Sequence, residues 1–450
     1  MIPIQLSEIN NVLKGNLYGK SHLIDAVTID SRNVKKNSLF IAIQGDNFDG
    51  HDFCSQAIKN GAVALIVKQK LDLNIPQIVV DSTSHALSAI GAYIKSLSNA
   101  KTIALTGSCG KTTVKEMIAS VLSSLGSINM TMGNLNNHYG VPLTLLNTNI
   151  ENKYQVIELG ANHQGEIKDN IKLVQPDIAL VNNLTAAHLQ GFGSMEGVAK
   201  AKGEIFSGLK SKIGTCIINL DSFSEKWIED NSDKKIVFFS LNKKKKSNFF
   251  AKNIKQSSES SSFVCQTSYG DEFEVVLNIP GIHNIQNALA AISCCYQLGV
   301  NTKMISEGLA KISSVDKRLE VLKKSDMITV INDSYNASYG SVISAIDVLN
   351  GFSGRKVFVF ADMAELGKYS EEFHNKIAIN KSMKNFEVFT LGKYSKQISD
   401  TNNGKHFFDK KLLENELLST IKDKTEPLTI LIKGSRGFTM ETITKTLMES

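Results

Sequence analysis

In the segment Thr102-Ile103-Ala104-Leu105-Thr106-Gly107-Ser108-Cys109-Gly110-Lys111-Thr112-Thr113, a short apolar strand runs straight into a glycine-bearing loop. Beyond it Val114, Met117, Ile118, Val121, Leu122 and Leu125 recur at helical spacing, and Gly126 ends the pattern. Strand, glycine loop and helix together make an anion cradle. Gly107 and Gly110 let backbone N–H groups converge on phosphate oxygens, and the helix N-terminus adds partial positive charge. Lys111 can reach terminal phosphates, and the Thr112 hydroxyl is placed to ligate Mg²⁺. The loop is shorter than the usual phosphate-binding loop, since the position five before Gly110 is Leu105. As a bare string it would often be chance; the flanking strand and helix carry the reading. Thr106 to Thr113 are therefore the expected nucleotide-phosphate contacts. Cys109 reads most plainly as a small side chain tolerated in the loop.

More buried-type strands follow at Gln155–Leu159, Ile178–Val181 and Cys216–Leu220, separated by helical stretches. That alternation predicts an α/β fold with a mostly parallel sheet covered on both faces. The first hundred residues alternate strands (Val27–Ile29, Leu39–Ile43, Ala62–Val67, Ile75–Val80) with helices (Phe53–Asn60, Ser84–Leu97). The last third does the same with strands at Ile328–Ile331, Lys356–Phe360, Val388–Leu391 and Thr429–Ile432, which predicts a Rossmann-like unit. Polar connectors near Ser96–Ala100 and Ser313–Asp316 divide the chain into three domains, 1–98, 99–313 and 314–450. The Lys- and Ser-rich stretch 243–262 reads as an insertion or exposed strand pair outside the core.

The 450 residues, 42% hydrophobic and 21% charged, exclude disordered and fibrous classes. The net charge of +6 is small, and Lys243–Lys246 could supply much of it as a solvated loop, so no nucleic-acid footprint is required. The six cysteines show no zinc-type spacing and no disulfide framework. No signal-peptide pattern opens the chain, and no apolar run approaches membrane length, so a cytoplasmic protein without membrane insertion is expected.

Single residues say less. Glu158 closes a buried strand where open α/β sheets place ligand groups, and a carboxylate there could hold a metal; a solvent-facing strand end is an equal reading. His188 alone reads as a structural histidine and Lys202 as a solvated lysine. Arg318, Asp333, Lys433 and Arg436 could each be surface charges.

Taken together these segments resemble the Mur ligases, ATP-dependent amide-bond-forming enzymes of peptidoglycan synthesis, over essentially the whole chain. Asp30-Ser31-Arg32, Leu39–Ile43 and Asp49-Gly50-His51-Asp52-Phe53 are similar to the family's UDP-sugar-binding domain. Thr106–Thr112 matches its short loop. Glu158-Leu159-Gly160, Ala187-His188-Leu189, Ala201–Phe206 and Gly281–Asn284 match the central ATPase domain. Arg318-Leu319, Asp333–Ala337 and Lys433–Arg436 match the C-terminal domain. Asn136–Leu146, Glu158–Asn162 and Lys433–Glu441 resemble the member that adds D-Ala-D-Ala to UDP-MurNAc-tripeptide. The Asp-Asn-Pro-Arg motif of the diamino-acid-adding member is absent. Two segments depart from the family pattern, Asn332–Tyr339 and Ala361–Gly367, and the first leaves open the nucleotide contacts of Ser338 and Tyr339.

The resemblance implies ATP and Mg²⁺ as cofactors and an acyl-phosphate route. It places Lys111, His188 and Lys202 in catalysis, with Lys202 carbamylated. One metal is expected at Thr112 and Glu158, and a second near His188 and Lys202. Asn284 and Asn336 would contact adenine, and Arg318 and Asp333 the ribose and phosphates. Ser31, Arg32, Asp49, Asn137, Lys433, Ser435 and Arg436 fall on the substrate side; a Ser-capped helix start is the plainer alternative for the last three. A monomer is expected. The competing readings are the diamino-acid-adding ligase, a folylpolyglutamate-type relative and a nucleotide-binding ATPase module that forms no bond.

Overall fold

The computed structural model describes residues 1–45, 48–422 and 425–450. Its centre is a nine-stranded sheet in which the strand Lys101–Thr106 lies between Asn152–Glu158 and Ile178–Val181, all parallel. The inner stretches of these strands are buried, Ile178–Val181 throughout and Gln155–Glu158 at the carboxyl end, because both faces are covered. On one face, the helix Lys111–Leu122 packs Val114, Met117, Ile118 and Val121 against the sheet and against the helix Ile282–Gln297. Each such side chain, fully withdrawn from water, contributes about 1.5–3 kcal/mol.

The parallel register fixes the site. Glu158 lies beside Leu105 and Val181 beside Thr106, so the carboxylate, the loop and the Asn182-Asn183 turn emerge at one sheet edge. That is the carboxyl edge, where open α/β sheets bind ligands.

The stretch at 243–262 corrects the sequence expectation. Phe249–Gln256 and Ser261–Thr267 do pair antiparallel, but they extend the central sheet, and Phe249, Ala251, Phe263 and Cys265 are in its core. Ser261–Thr267 alternates buried and half-buried positions, and the exposed Lys252 and Lys255 of the neighbouring strand masked the apolar inner face. A further antiparallel strand, Glu272–Leu277, closes that edge.

The N-terminal part carries a five-stranded sheet around Ala62–Val67. Its helix Thr83–Ser96 packs on the helix Gly140–Leu146 of the middle part. The C-terminal six-stranded sheet has five parallel strands and one antiparallel edge strand, Glu320–Ser325, which the sequence reading missed. Here Ile328–Asp333 and Leu428–Lys433 are parallel neighbours, with Asp333 opposite Lys433. The C-terminal lobe packs tightly on the middle one. Ala337, Val342 and Phe373 share an apolar cluster with Ala186, Leu189 and Phe192. A methyl group at Gly340 would sit 2.9 Å from Thr185 Cγ2, so the Thr185 side chain approaches the Gly340 backbone too closely for a Cβ there.

Candidate active site

The loop after Lys101–Thr106 is held at almost every residue. The Thr106 hydroxyl donates to Leu159 O (2.7 Å), and Ser108 Oγ donates to Thr185 O (3.0 Å). The Cys109 N–H donates to Asn183 Oδ1 (2.8 Å), while Asn182 and Asn183 side chains both donate to Cys109 O. Gly110 caps the helix at φ +75°, and a Cβ there would meet Asn287 Oδ1 at 2.5 Å. Only glycine fits that position without strain. Lys111 Nζ folds back to donate to Gly107 O (2.8 Å), in the way a lysine rests across a loop built for phosphate. Burial pulls the Lys111 ammonium below its ordinary value, against the attraction of Glu158.

Glu158 is buried, and both its oxygens accept from neutral donors: Oε2 from Thr112 Oγ1 (3.0 Å) and Oε1 from Asn136 Nδ2 (2.8 Å). Neither partner neutralises the carboxylate, so Thr112 and Glu158 fit a cation. Among the described residues no three His, Cys, Asp or Glu side chains gather into a cage. That donor set suits Mg²⁺, which commonly takes one or two carboxylates and completes its shell with water and substrate phosphates.

His188 starts the short helix Leu189–Phe192 with a left-handed backbone, φ +52°. Its Nδ1 lies 2.7 Å from Glu365 Oε2, a residue of the C-terminal lobe, and the imidazole holds the Glu365 carboxyl below its usual value. Lys202 is buried on the helix Met195–Gly203, and its Nζ lies over the Phe192 ring, 5.4 Å from the centroid. The His188 ring meets the same Phe192 edge-on at 6.3 Å. Desolvation, then Lys111, lowers the Lys202 amine to about 7. Lys202 is not among the residues that line the main cavity.

That cavity holds about 600 Å³ between the middle and C-terminal lobes. Ser108 to Thr113, Asn137, Glu158, His188 and Asn284 line it from one side; Arg318, Asp333, Asn336 and Lys433 line it from the other. Arg318 stacks its guanidinium on Tyr335, 4.0 Å from the ring centroid. Lys433 is buried with its ammonium against the Asp333 carboxylate and 3.1 Å from Asn336 O. Asp333 Oδ1 also accepts from the Leu319 N–H at 3.2 Å. The Asn336 carbonyl oxygen of the side chain accepts from Ala337 N (2.9 Å).

Other expected residues are occupied elsewhere. Ser435 and Arg436 do not line the cavity. Ser435 Oγ accepts from the Ala364 N–H (2.7 Å), and Arg436 pairs with Glu441 at 2.6 Å. Asn284 donates to Pro280 O and accepts from Asn287, within a buried chain that continues to Asn182. Asn137 Oδ1 caps the helix Gly140–Leu146 by accepting from Tyr139 and Gly140 N–H groups. Ser31, Arg32 and Asp49, in the N-terminal part, lie outside the cavity lining. The Ser31 carbonyl accepts from Asn60 (2.7 Å), and Arg32 is exposed and paired with Asp30. The Asp49 carboxylate accepts from His51 N and faces His51 Nδ1 at 2.5 Å.

The departures at Ser338 and Tyr339 have a local structural explanation. Ser338 caps the helix Tyr339–Asn350 in a capping box with Ser341, and its Oγ lies 3.1 Å from Cys109 Sγ across the lobes. Tyr339 packs on Phe373. Sequence reasoning missed the parts played by Asn136, Asn182, Asn183 and Glu365. The first was quoted only within a family segment. The asparagine pair follows the buried strand Ile178–Val181, but nothing in sequence ties it to the loop.

Three family models match in chain order: the Mur ligase family catalytic domain at residues 23–99, the Mur ligase middle domain at 105–295 and the Mur ligase glutamate ligase domain at 317–436. The chain is 43% identical over 455 aligned residues to the UDP-N-acetylmuramoyl-tripeptide–D-alanyl-D-alanine ligase of Escherichia coli (strain K12), covering 100% of this chain and 99% of that one. It is 34% identical, at the same coverage, to the enzyme of that name from Bacillus subtilis (strain 168). Among solved structures, a crystal structure of MurF from Acinetobacter baumannii aligns with a TM-score of 0.93 at 33% identity, covering 100% of this chain and 99% of that one. With likeness of that extent in sequence and in fold, the chain belongs to the Mur ligase family.

Proposed function

We propose that this chain is the ATP-dependent ligase that joins D-alanyl-D-alanine to UDP-N-acetylmuramoyl-tripeptide in peptidoglycan precursor synthesis. The observation that carries the reading is the interlobe cavity, which sets a phosphate loop, a buried carboxylate with neutral hydrogen-bond partners and His188 opposite Arg318, Asp333 and Lys433. The full-length likeness to ligases of that name supports the choice of substrates.

A carboxylate is a poor electrophile, so it must first be activated. The tripeptide carboxylate oxygen attacks the γ-phosphorus of ATP; the bond to the bridging oxygen breaks, and ADP leaves with that electron pair. The D-Ala-D-Ala amine then attacks the acyl carbon, loses a proton, and phosphate departs from the tetrahedral intermediate. Phosphoryl transfer chiefly needs positioning and charge neutralisation. The loop N–H groups hold the phosphates, and Lys111 leaves Gly107 O to reach the terminal one. Thr112 and Glu158 would hold Mg²⁺, which when bound neutralises phosphate charge. Arg318 approaches the nucleotide from the other lobe, with Asn284 and Asn336 near the base. Packing of the lobes excludes water that would hydrolyse the acyl phosphate.

Lys202 is proposed to act as a carbamate. An ammonium would be repelled by a cation near His188, whereas a carbamate presents a carboxylate to it. Three features support this: burial, an amine lowered to about 7, and no hydrogen bond or ion pair to Nζ among the described residues. The neutral amine adds to CO₂, forming the N–C bond and losing a proton. We assign residues 1–98 to UDP-sugar binding, 99–313 to ATP binding and 314–450 to the closing lobe. Arg32 is exposed enough to meet a diphosphate, and Asn137 Nδ2 is available to the substrate while its oxygen caps the helix. We place the enzyme in the cytoplasm as a monomer; no helix among the described residues is long and apolar enough to cross a membrane.

Phosphate release from ATP in the presence of UDP-MurNAc-tripeptide, with and without D-Ala-D-Ala, tests the assignment. Release should require the dipeptide. Release indifferent to it would leave a nucleotide-binding ATPase, and release requiring a diamino acid with the UDP-dipeptide would move the enzyme one step earlier.

A further inference from the structure

The cavity wall contains a charged contact between lobes that the mechanism above does not use. Glu365 stands on the loop after the strand Arg355–Ala361, in the C-terminal lobe, and its Oε2 lies 2.7 Å from His188 Nδ1 in the middle lobe. We propose that Glu365 is a positioning residue for His188, so that seating of the C-terminal lobe fixes the orientation of the imidazole in the reaction cavity. The inference rests on the ligase reading only for its kinetic consequence.

Both partners are held by built structure. His188 and Glu365 each adopt a left-handed backbone (φ +52° and +64°), a conformation that non-glycine residues seldom take and that surrounding contacts must impose. The His188 carbonyl accepts from the N–H groups of Gly191 (3.0 Å) and Phe192 (3.1 Å). The Glu365 carbonyl accepts from the Gln190 N–H (3.0 Å), two residues beyond His188, so the backbones of the two lobes are joined where the side chains meet. On the other side, Ser435 Oγ takes the Ala364 N–H and His374 Nε2 takes the Met363 N–H. The Asp362 carboxylate accepts from the N–H groups of Lys393, Tyr394 and Ser395. Ser435 thus acts through the loop that presents Glu365.

The chemistry gives the contact a purpose. The two atoms approach to 2.7 Å without the alignment of a hydrogen bond, so the carboxylate acts by charge, drawing the Nδ1 side of the imidazole toward the C-terminal lobe and setting how the ring is turned. Here Nδ1 faces the carboxylate, so Nε2 is the nitrogen left to the cavity. Since the Glu365 side chain is half-exposed, solvent screens the pair, and its value lies in orientation more than stability.

The test uses the full chain with Glu365→Gln, Glu365→Ala, Glu365→Asp and Tyr369→Phe. The last removes a different interlobe contact, the Tyr369 hydroxyl to Gly193 O (3.2 Å). Glu365→Ala and Glu365→Gln should lower kcat about tenfold or more, with KM for ATP changed less than about threefold. Glu365→Asp should recover part of the loss, and Tyr369→Phe should stay near the parent rate. In ligand-free protein, the ¹⁵N ring shifts of His188 should move in Glu365→Ala and Glu365→Gln but not in Tyr369→Phe. Unchanged His188 shifts in Glu365→Ala would overturn the proposal, whatever the rate. So would an equal loss of kcat in Tyr369→Phe, which would assign the effect to docking alone. If the parent chain lacks ligase activity, the functional reading fails, while the His188 shifts still decide the contact.

Discussion

Replacing Lys433 with methionine removes the ammonium from a buried pair and leaves the Asp333 carboxylate with the Leu319 N–H (3.2 Å) as its remaining fixed donor. Breaking a buried pair by deleting one partner costs about 3–5 kcal/mol. A ceiling follows from protonation, because the stranded carboxylate can always take up a proton. At pH 7 the solution lies about 3 pH units above the ordinary carboxyl value of 3.8, and each unit is worth about 1.4 kcal/mol, so the loss cannot exceed about 4 kcal/mol. At pH 5 the same ceiling is about 2 kcal/mol. The sign is fixed by linkage. Burial already raises the Asp333 carboxyl above its ordinary 3.8 with Lys433 beside it, and removing the ammonium raises it further, so the folded variant binds more protons and loses stability more steeply as pH rises above 3.8. Native-state hydrogen exchange of the strand Ile328–Asp333 in the full chain, at pH 5 and pH 7, reads this locally. Lys433→Met should lower the opening free energy of that strand by about 3–4 kcal/mol at pH 7 and roughly half as much at pH 5. Adding Asp333→Asn should recover most of the loss. A loss below about 1 kcal/mol at pH 7, or one that ignores pH, would refute the reasoning.

Gly110→Ala forces an L side chain into φ +75° and brings its Cβ to 2.5 Å from Asn287 Oδ1, so KM for ATP should rise at least about tenfold in steady-state assays. Glu158→Gln keeps the Thr112 and Asn136 contacts in shape but removes the charge that fits a cation; half-saturating Mg²⁺ should rise and kcat should fall about 10²-fold or more, by Mg²⁺ titration of turnover. His283 is held neutral, its value pushed down to about 4 by burial and then by Lys433, from an ordinary 6.5. Between those values the unfolded chain binds the proton and the folded chain does not, so stability should fall as pH drops from 6.5 to 4, by no more than about 3 kcal/mol. Urea unfolding across that range should show a shallower pH dependence in His283→Gln. Lys202→Ala should lose activity and regain part of it with short carboxylic acids, measured as phosphate release; full activity without rescue would remove the carbamate.

Buried parallel strands are continuous apolar runs, so Ala62–Val67, Ile178–Val181 and the strand feeding the loop stand out of the sequence by themselves. Glu158 was only half legible, because a strand-end carboxylate could equally have faced solvent; its burial and its Thr112 and Asn136 donors come from the fold. Phe249–Gln256 was obscured for the opposite reason. A strand with one wet face mixes lysines with its core residues, and Lys252 and Lys255 outweighed Phe249 and Ala251 in a reading by composition. The site itself divides in the same way. The phosphate loop is local in sequence, so its residue types and spacing announce it. Pairs formed by sheet register, such as Asp333 with Lys433, need the order of strands, and that order comes from long-range pairing.

The contacts between lobes were least legible, and they change how the C-terminal motif is understood. The family resemblance put Lys433 and Ser435 together on the substrate side. Their side chains instead act on two different partners. Lys433 neutralises Asp333 inside the lobe, and Ser435 holds the backbone at Ala364 beside Glu365. One strand end therefore supports both the cavity wall and the loop that reaches His188. Charged residues of this kind are expensive to bury unless paired, and here the pairing partner is also the cavity lining. A ligand anion entering the cavity meets Lys433 already committed to Asp333, so any direct contact with that ammonium requires the pair to open or share. On the ligase reading, phosphate recognition would fall to the loop N–H groups, to Lys111, which donates to the Gly107 carbonyl, and to Arg318, which stacks on Tyr335.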